Sequence, residues 1–90
     1  MPEPYQVRVT GPALRCIDRL PRRVAAAVVE FVTGRLVDSP ARIGKPLRGR
    51  FAGLYAARVG EYRVRYRIDD DVRVVVVLHV AHHADAYRPD

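Results

Sequence analysis

The chain is predicted to be an α+β protein. An N-terminal strand and a helical hairpin come first, then a three-stranded antiparallel meander; the strands form one twisted sheet with the helices on one face. Two observations predict this. Apolar and polar residues alternate with period two at the start of the chain and again in three runs after residue 53, the pattern of half-buried strands. Between them, residues 13 to 32 change to helical spacing, so the helices are grouped before the meander and not interleaved with it. At 90 residues the chain buries only about 60–65% of its unfolded surface, enough for one core, and a single domain over 1–90 is expected.

The elements follow in order. Residues 5–10, YQVRVT, alternate with Tyr5, Val7 and Val9 on one face, and Gly11-Pro12 breaks the run. Thr10 is a suitable N-cap ahead of Pro12, after which Leu14, Ile17 and Leu20 follow helical periodicity. Pro21 interrupts, and a second helix carries Val24, Val28, Phe31 and Val32 inward until Gly34 or the DSP at 38–40 ends it. Residues 41–53 are rich in Gly and Arg and predict a loop with a short extended piece. LYAARV at 54–59 and YRVRYRI at 62–68 are strands, and VRVVVVLHVA at 72–81 is the most apolar and belongs inside the sheet. Asp69-Asp70-Asp71 makes the turn between the last two. A three-residue turn would set Arg73, Val75, Val77 and His79 beside the arginines of the preceding strand; a two-residue turn would set Val74 and Val76 there.

Composition narrows the function classes. Half the residues are apolar, too many for a disordered chain. No run reaches the roughly 18–20 apolar residues of a membrane span, and MPEPYQVRVT lacks the basic flank and apolar stretch of a secretory signal, so a cytoplasmic protein without membrane contact is expected. One cysteine, Cys16, excludes an internal disulfide framework and a Cys-rich zinc site. The formal charge is +6, unevenly spread: residues 42–67 hold eight basic residues against Glu61 alone, a net +7, and the remainder holds eight against nine acids. A basic region on a near-neutral scaffold is the footprint of a polyanion-binding face. Arg63, Arg65 and Arg67 fall on every second position of one strand, on the face away from the helices. An alternating arginine row is also what a plain solvated strand face looks like. His79, His82 and His83 do not predict a metal site, because adjacent strand residues point to opposite faces. No metal or other cofactor is expected.

GKPLRG at 44–49, LYAARVGEYRVRY at 54–66 and the tail HVAHHADAYR at 79–88 together resemble the RelE/ParE superfamily of bacterial toxins, closest to its RelE-like branch. The resemblance runs from the first strand to Arg88. It implies a RelE-like fold and a toxin of a type II toxin–antitoxin pair. In the RelE branch the toxin is an mRNA endonuclease that enters the ribosomal A site. Without a metal, the 2′-hydroxyl attacks the adjacent phosphorus and leaves a 2′,3′-cyclic phosphate. The resemblance further implies a cognate RelB-like antitoxin with an acidic or amphipathic segment, and operator DNA bound through the toxin–antitoxin complex.

Residue by residue, the resemblance puts Arg63 at the phosphate-stabilising arginine, Arg58 at a second basic position and Tyr87 at the tyrosine proposed as general base. His83 stands where RelE usually has an arginine, with His82 beside it. Lys45 and Arg48, of the KPLRG element, are expected to contact RNA, as are Arg50, Arg65, Arg67 and His82. The chain departs from RelE at Ala56, where the best-known member has a lysine. The chemistry is coherent: paired guanidinium groups hold charge on the non-bridging oxygens, cations around Tyr87 would lower its pKa, and an imidazole titrates in the range an acid needs. Two rivals stand beside this reading: a ParE-like inhibitor of DNA gyrase, and a catalytically lapsed toxin retained as an antitoxin-bound repressor.

Overall fold

Alternation and helical spacing become strands and helices in the expected order. The computed structural model describes residues 4–84 and opens with β1 (Gln6–Val9). Thr10 then turns the chain into α1 (Gly11–Asp18), its hydroxyl accepting from the Ala13 N–H at 3.2 Å. Proline is tolerated in that first turn because its missing N–H has no intrahelical partner to lose. α1 buries Ala13 completely, and Cys16 and Ile17, with Leu20 just beyond the helix, pack against the core, whereas Leu14 is 51% exposed. The inward stripe therefore begins at Ala13 and not at Leu14: the small side chain lets α1 lie close against the sheet. Pro21 separates α1 from α2 (Arg22–Thr33), which turns Val28, Phe31 and Val32 into the core with Val24 beside them, and Gly34 caps it.

The stretch after α2 is more ordered than its composition suggests. It forms two single-turn helices, α3 (Arg35–Asp38) and α4 (Pro40–Ile43), then the two-residue strand β2 (Lys45–Pro46) and a 3₁₀ turn at Gly49–Phe51. Leu36, Val37 and Pro40 are buried here, and the fully buried Tyr66 donates its hydroxyl to the Pro40 carbonyl at 2.6 Å. Gly44 lets the chain pass: a Cβ there would collide with the Tyr66 hydroxyl and come within 2.8 Å of the Ala56 carbonyl oxygen.

β3 (Tyr55–Val59), β4 (Tyr62–Asp69) and β5 (Val74–His82) complete one five-stranded sheet in the order β1-β5-β4-β3-β2. β1 runs parallel to β5 and the other pairs are antiparallel. The apolar β5 is an interior strand, as expected, and β2 adds an edge strand to the predicted four.

The β4–β5 turn differs from expectation. Asp69 is the last residue of β4 and pairs with Val74, so residues 70–73 make a four-residue turn in place of Asp69-Asp70-Asp71. Neither anticipated register occurs, although even and odd positions of β5 each face the arginines on one side of an irregularity. Near the turn Arg67 pairs with Val76 and Tyr66 with Val77; beyond it Arg65 pairs with His79 and Arg63 with Ala81. Leu78 is the extra residue, and this bulge switches the helix-free face of β5 from even to odd positions. The other face is the core, where Val64, Tyr66, Val75 and Val77 are fully buried against Val28 and Leu36 of the helices. Burial of each such aliphatic side chain contributes about 1.5–3 kcal/mol. Among the described residues, no helix is long and apolar enough to cross a membrane.

Candidate nucleic-acid interface

Pleating sends Tyr62, Val64 and Tyr66 toward the helices, leaving Arg63, Arg65 and Arg67 on the open face. The register then builds rows across that face. One is Arg58–Arg63–Ala81, the next Lys45–Ala56–Arg65–His79, and the next Arg67–Val76–Arg8. The first carboxylate, Asp69, appears only in the row after these, opposite Val74.

Arg58 and Arg63 face each other directly across β3 and β4, an arrangement that like charges disfavour. The β3–β4 turn takes hold of both. Gly60 occupies its first central position with φ 58°, which type II′ hairpin turns require. The Gly60 carbonyl accepts from Arg58 Nε at 3.1 Å. The Glu61 carbonyl accepts the His83 N–H at 2.7 Å, which carries the chain one residue past β5. That brings His83 Nδ1 to 3.4 Å from Arg63 Nε, where it accepts a hydrogen bond. An imidazole accepting at Nδ1 is neutral, with its proton on Nε2.

Beside this pair lies a pocket of about 190 Å³ lined by Lys45, Ala56, Arg58 and Arg63, with Ile43 and Gly44 at its edge. Lys45 is the direct cross-strand partner of Ala56. The edge strand thus brings a cation to the row in which β3 itself offers only a methyl group, and the small Ala56 keeps the pocket open.

The remaining expected residues are dispersed. Arg67 is exposed on the open face, and Arg48 and Arg50 are exposed on the β2–β3 connection. Arg65 is half-buried: its guanidinium lies 4.4 Å from the centroid of the Phe51 ring. Its Nε is buried and finds no hydrogen-bond partner among the described residues. Arg50 lies 5.0 Å from the same ring. His82 pairs with Tyr62 and so sits on the helix side of the sheet, its ring edge-on to Tyr62 at 5.3 Å. Its Nδ1 accepts from the Ala84 N–H at 3.2 Å. His82 is therefore not gathered with Arg63 and His83. Tyr87 lies outside the described residues.

Sequence reasoning missed Phe51. The available signal was an aromatic residue between Gly49 and Gly53, which adopt φ 65° and 91° and fold the connection back on itself.

A cluster of fixed guanidinium groups at a small open pocket, with an imidazole against one of them, can grip a phosphodiester and exchange a proton beside it. Comparison with known proteins identifies the family. Residues 7–87 match the family model described as ParE toxin of type II toxin-antitoxin system, parDE. The chain is 54% identical over 85 residues to Toxin RelG of Mycobacterium tuberculosis, covering 94% of this chain and 98% of that one. It is 49% identical over 85 residues to Toxin RelE of the same organism, covering 94% and 88%. Among solved structures it is similar to a RelBE toxin–antitoxin complex from Mycobacterium tuberculosis, with a TM-score of 0.86, 52% identity, and 89% and 99% of the two chains covered.

Proposed function

The chain belongs to the RelE/ParE superfamily of type II toxin–antitoxin toxins, and from that membership we propose that it is a ribosome-dependent mRNA endonuclease. The observation that carries the proposal is the direct pairing of Arg58 with Arg63 at a basic pocket, with His83 3.4 Å from Arg63. In the reaction, the 2′-oxygen of one nucleotide bonds to the adjacent phosphorus while the bond from phosphorus to the 5′-oxygen breaks. Arg58 and Arg63 hold the charge that builds on the non-bridging oxygens, and Lys45 adds to the field from the edge strand. Tyr87 takes the hydroxyl proton and His83 delivers one to the leaving oxygen. Protonation of His83 at Nδ1 turns an acceptor into a donor and releases its contact with Arg63. The acid form of the histidine and an arginine turned toward phosphate therefore arise together. The ribosome orients the strand, which offsets the modest strength of these catalytic groups.

The partner reading follows the relatives. The similar Mycobacterium tuberculosis structure is of a toxin–antitoxin complex, and here a RelB-like antitoxin would cover the open basic face with an acidic or amphipathic segment. The protein then acts in the cytoplasm, where its mRNA and ribosomes are, and meets operator DNA through the antitoxin.

Purified protein added to translating ribosomes should yield mRNA cut within the A-site codon, and Arg63→Ala should lower the rate by about 10²–10³. Equal cutting by the variant would sink the mechanism. A second reading is favoured by the ParE name of the matched family model: inhibition of DNA gyrase. Trapped gyrase–DNA cleavage complexes with mRNA intact would establish it instead.

A further inference from the structure

Phe51 is an aromatic side chain without a place in the core. Among the described residues it is not part of the core cluster or of the side chains packed on it. It ends the 3₁₀ turn Gly49–Phe51, in a connection closed by the Leu47 N–H donating to the Leu54 carbonyl at 2.8 Å. The two left-handed glycines of that connection fold the ring back over the open face. There it covers Arg65, whose guanidinium is 4.4 Å from the ring centroid and whose Nε is buried without a partner among the described residues. Such a donor costs stability, and the cation–π contact with Phe51 offsets part of that cost.

Arg65 rises from the sheet, so it backs the ring from below. Phe51 itself is partly exposed, and Arg50, an exposed side chain, lies 5.0 Å from its centroid. Along β4, Arg65 lies two residues from Arg63, about 7 Å at strand spacing, within reach of a nucleoside next to the phosphate held there. Stacking on an aromatic face suits any base, and a cation near the ring adds to it.

We propose that the outer face of the Phe51 ring is a stacking platform for one nucleobase of the substrate strand, adjoining the phosphate site at Arg58 and Arg63. The platform rests on the RNA-facing reading above and names its base contact. Arg50 swings aside, or stacks on the far side of the incoming base.

The test is a titration of the full chain with a 2′-deoxy trinucleotide carrying 2-aminopurine, which reports stacking by fluorescence quenching and is not cut. Wild type should quench the probe. Phe51→Leu, which keeps apolar cover over Arg65, should bind about tenfold more weakly, and Phe51→Tyr should return most of the affinity. Thermal unfolding of the Leu variant at the wild-type temperature confirms that its fold is intact. Equal quenching by Phe51→Leu overturns the platform, and so does tighter binding, which would make the ring a lid over Arg65. A protein that quenches through Phe51 yet leaves ribosome-bound mRNA whole keeps the platform and overturns the nuclease. A nuclease whose Leu variant quenches like wild type loses the platform alone.

Discussion

Tyr66 ties the sheet to the segment that precedes the basic pocket. Its hydroxyl is the donor to the Pro40 carbonyl, its ring stacks on Tyr55 at 5.7 Å, and it is fully buried. Burial, with a smaller effect from Tyr55, pushes its pKa up to about 12. A tyrosine with a raised folded pKa favours the neutral native state. Its stabilising effect is complete below about pH 10, the unfolded value, and is lost as pH rises toward 12. Tyr66→Phe should cost about 1–3 kcal/mol at neutral pH, because the Pro40 carbonyl loses its donor. The variant should also flatten the fall of stability over that alkaline range. Denaturant unfolding at a series of pH values reads both effects. In the sequence Tyr66 was visible as a core residue of an alternating strand. Its hydrogen bond was not, because the partner lies 26 positions away in a segment whose helical turns are too short to announce themselves by periodicity.

At the scale of elements, the passage from α4 to β2 depends on one missing methyl group. Gly44→Ala would push a Cβ into the Tyr66 hydroxyl and the Ala56 carbonyl. Overpacking of this kind costs about 1–3 kcal/mol, and here it would also displace Lys45 from its place opposite Ala56. The expected outcome is a lower unfolding midpoint together with weaker RNA binding, read by urea titration and by the probe titration on the same protein. Strands and helices were legible because their apolar periods are long and clean. The β5 register was not: a run of valines at 74–77 serves either face equally well, so nothing in it marks the parity change at Leu78. Only pairing on both sides, to β1 and to β4, reveals the four-residue turn and the change of parity. The bulge sets Ala81, and through it His83, on the arginine side, and the sequence resemblance had matched His83 to the site without supplying that reason.

Across the whole molecule, one face of the sheet is a core and the other a field of cations. RNA held by such a face releases counterions, so affinity should fall linearly as salt rises on logarithmic axes. Arg67→Ala, exposed and away from the pocket, should lower affinity with little sequence preference and reduce the slope by about 0.7, the single-strand value for one phosphate contact. An unchanged slope would remove Arg67 from the bound path. The basic face as a whole was legible from charge location and strand alternation. The pairing of Arg58 with Arg63 was expected too; that Lys45 joins them while Arg65 lies under Phe51 was not, since that needs the cross-strand rows.

The facing arginines on β3 and β4 have a last consequence. Arg58 and Arg63, opposed across β3 and β4, repel one another, and an anion placed between them would offset that repulsion. Occupancy and foldedness are then linked quantities: whatever anion fills the gap, phosphate or a partner's carboxylate, binds the native chain and not the unfolded one, and raises its melting temperature by mass action. A partner carboxylate seated at that pair would therefore raise the stability of the chain as well as cover the basic face.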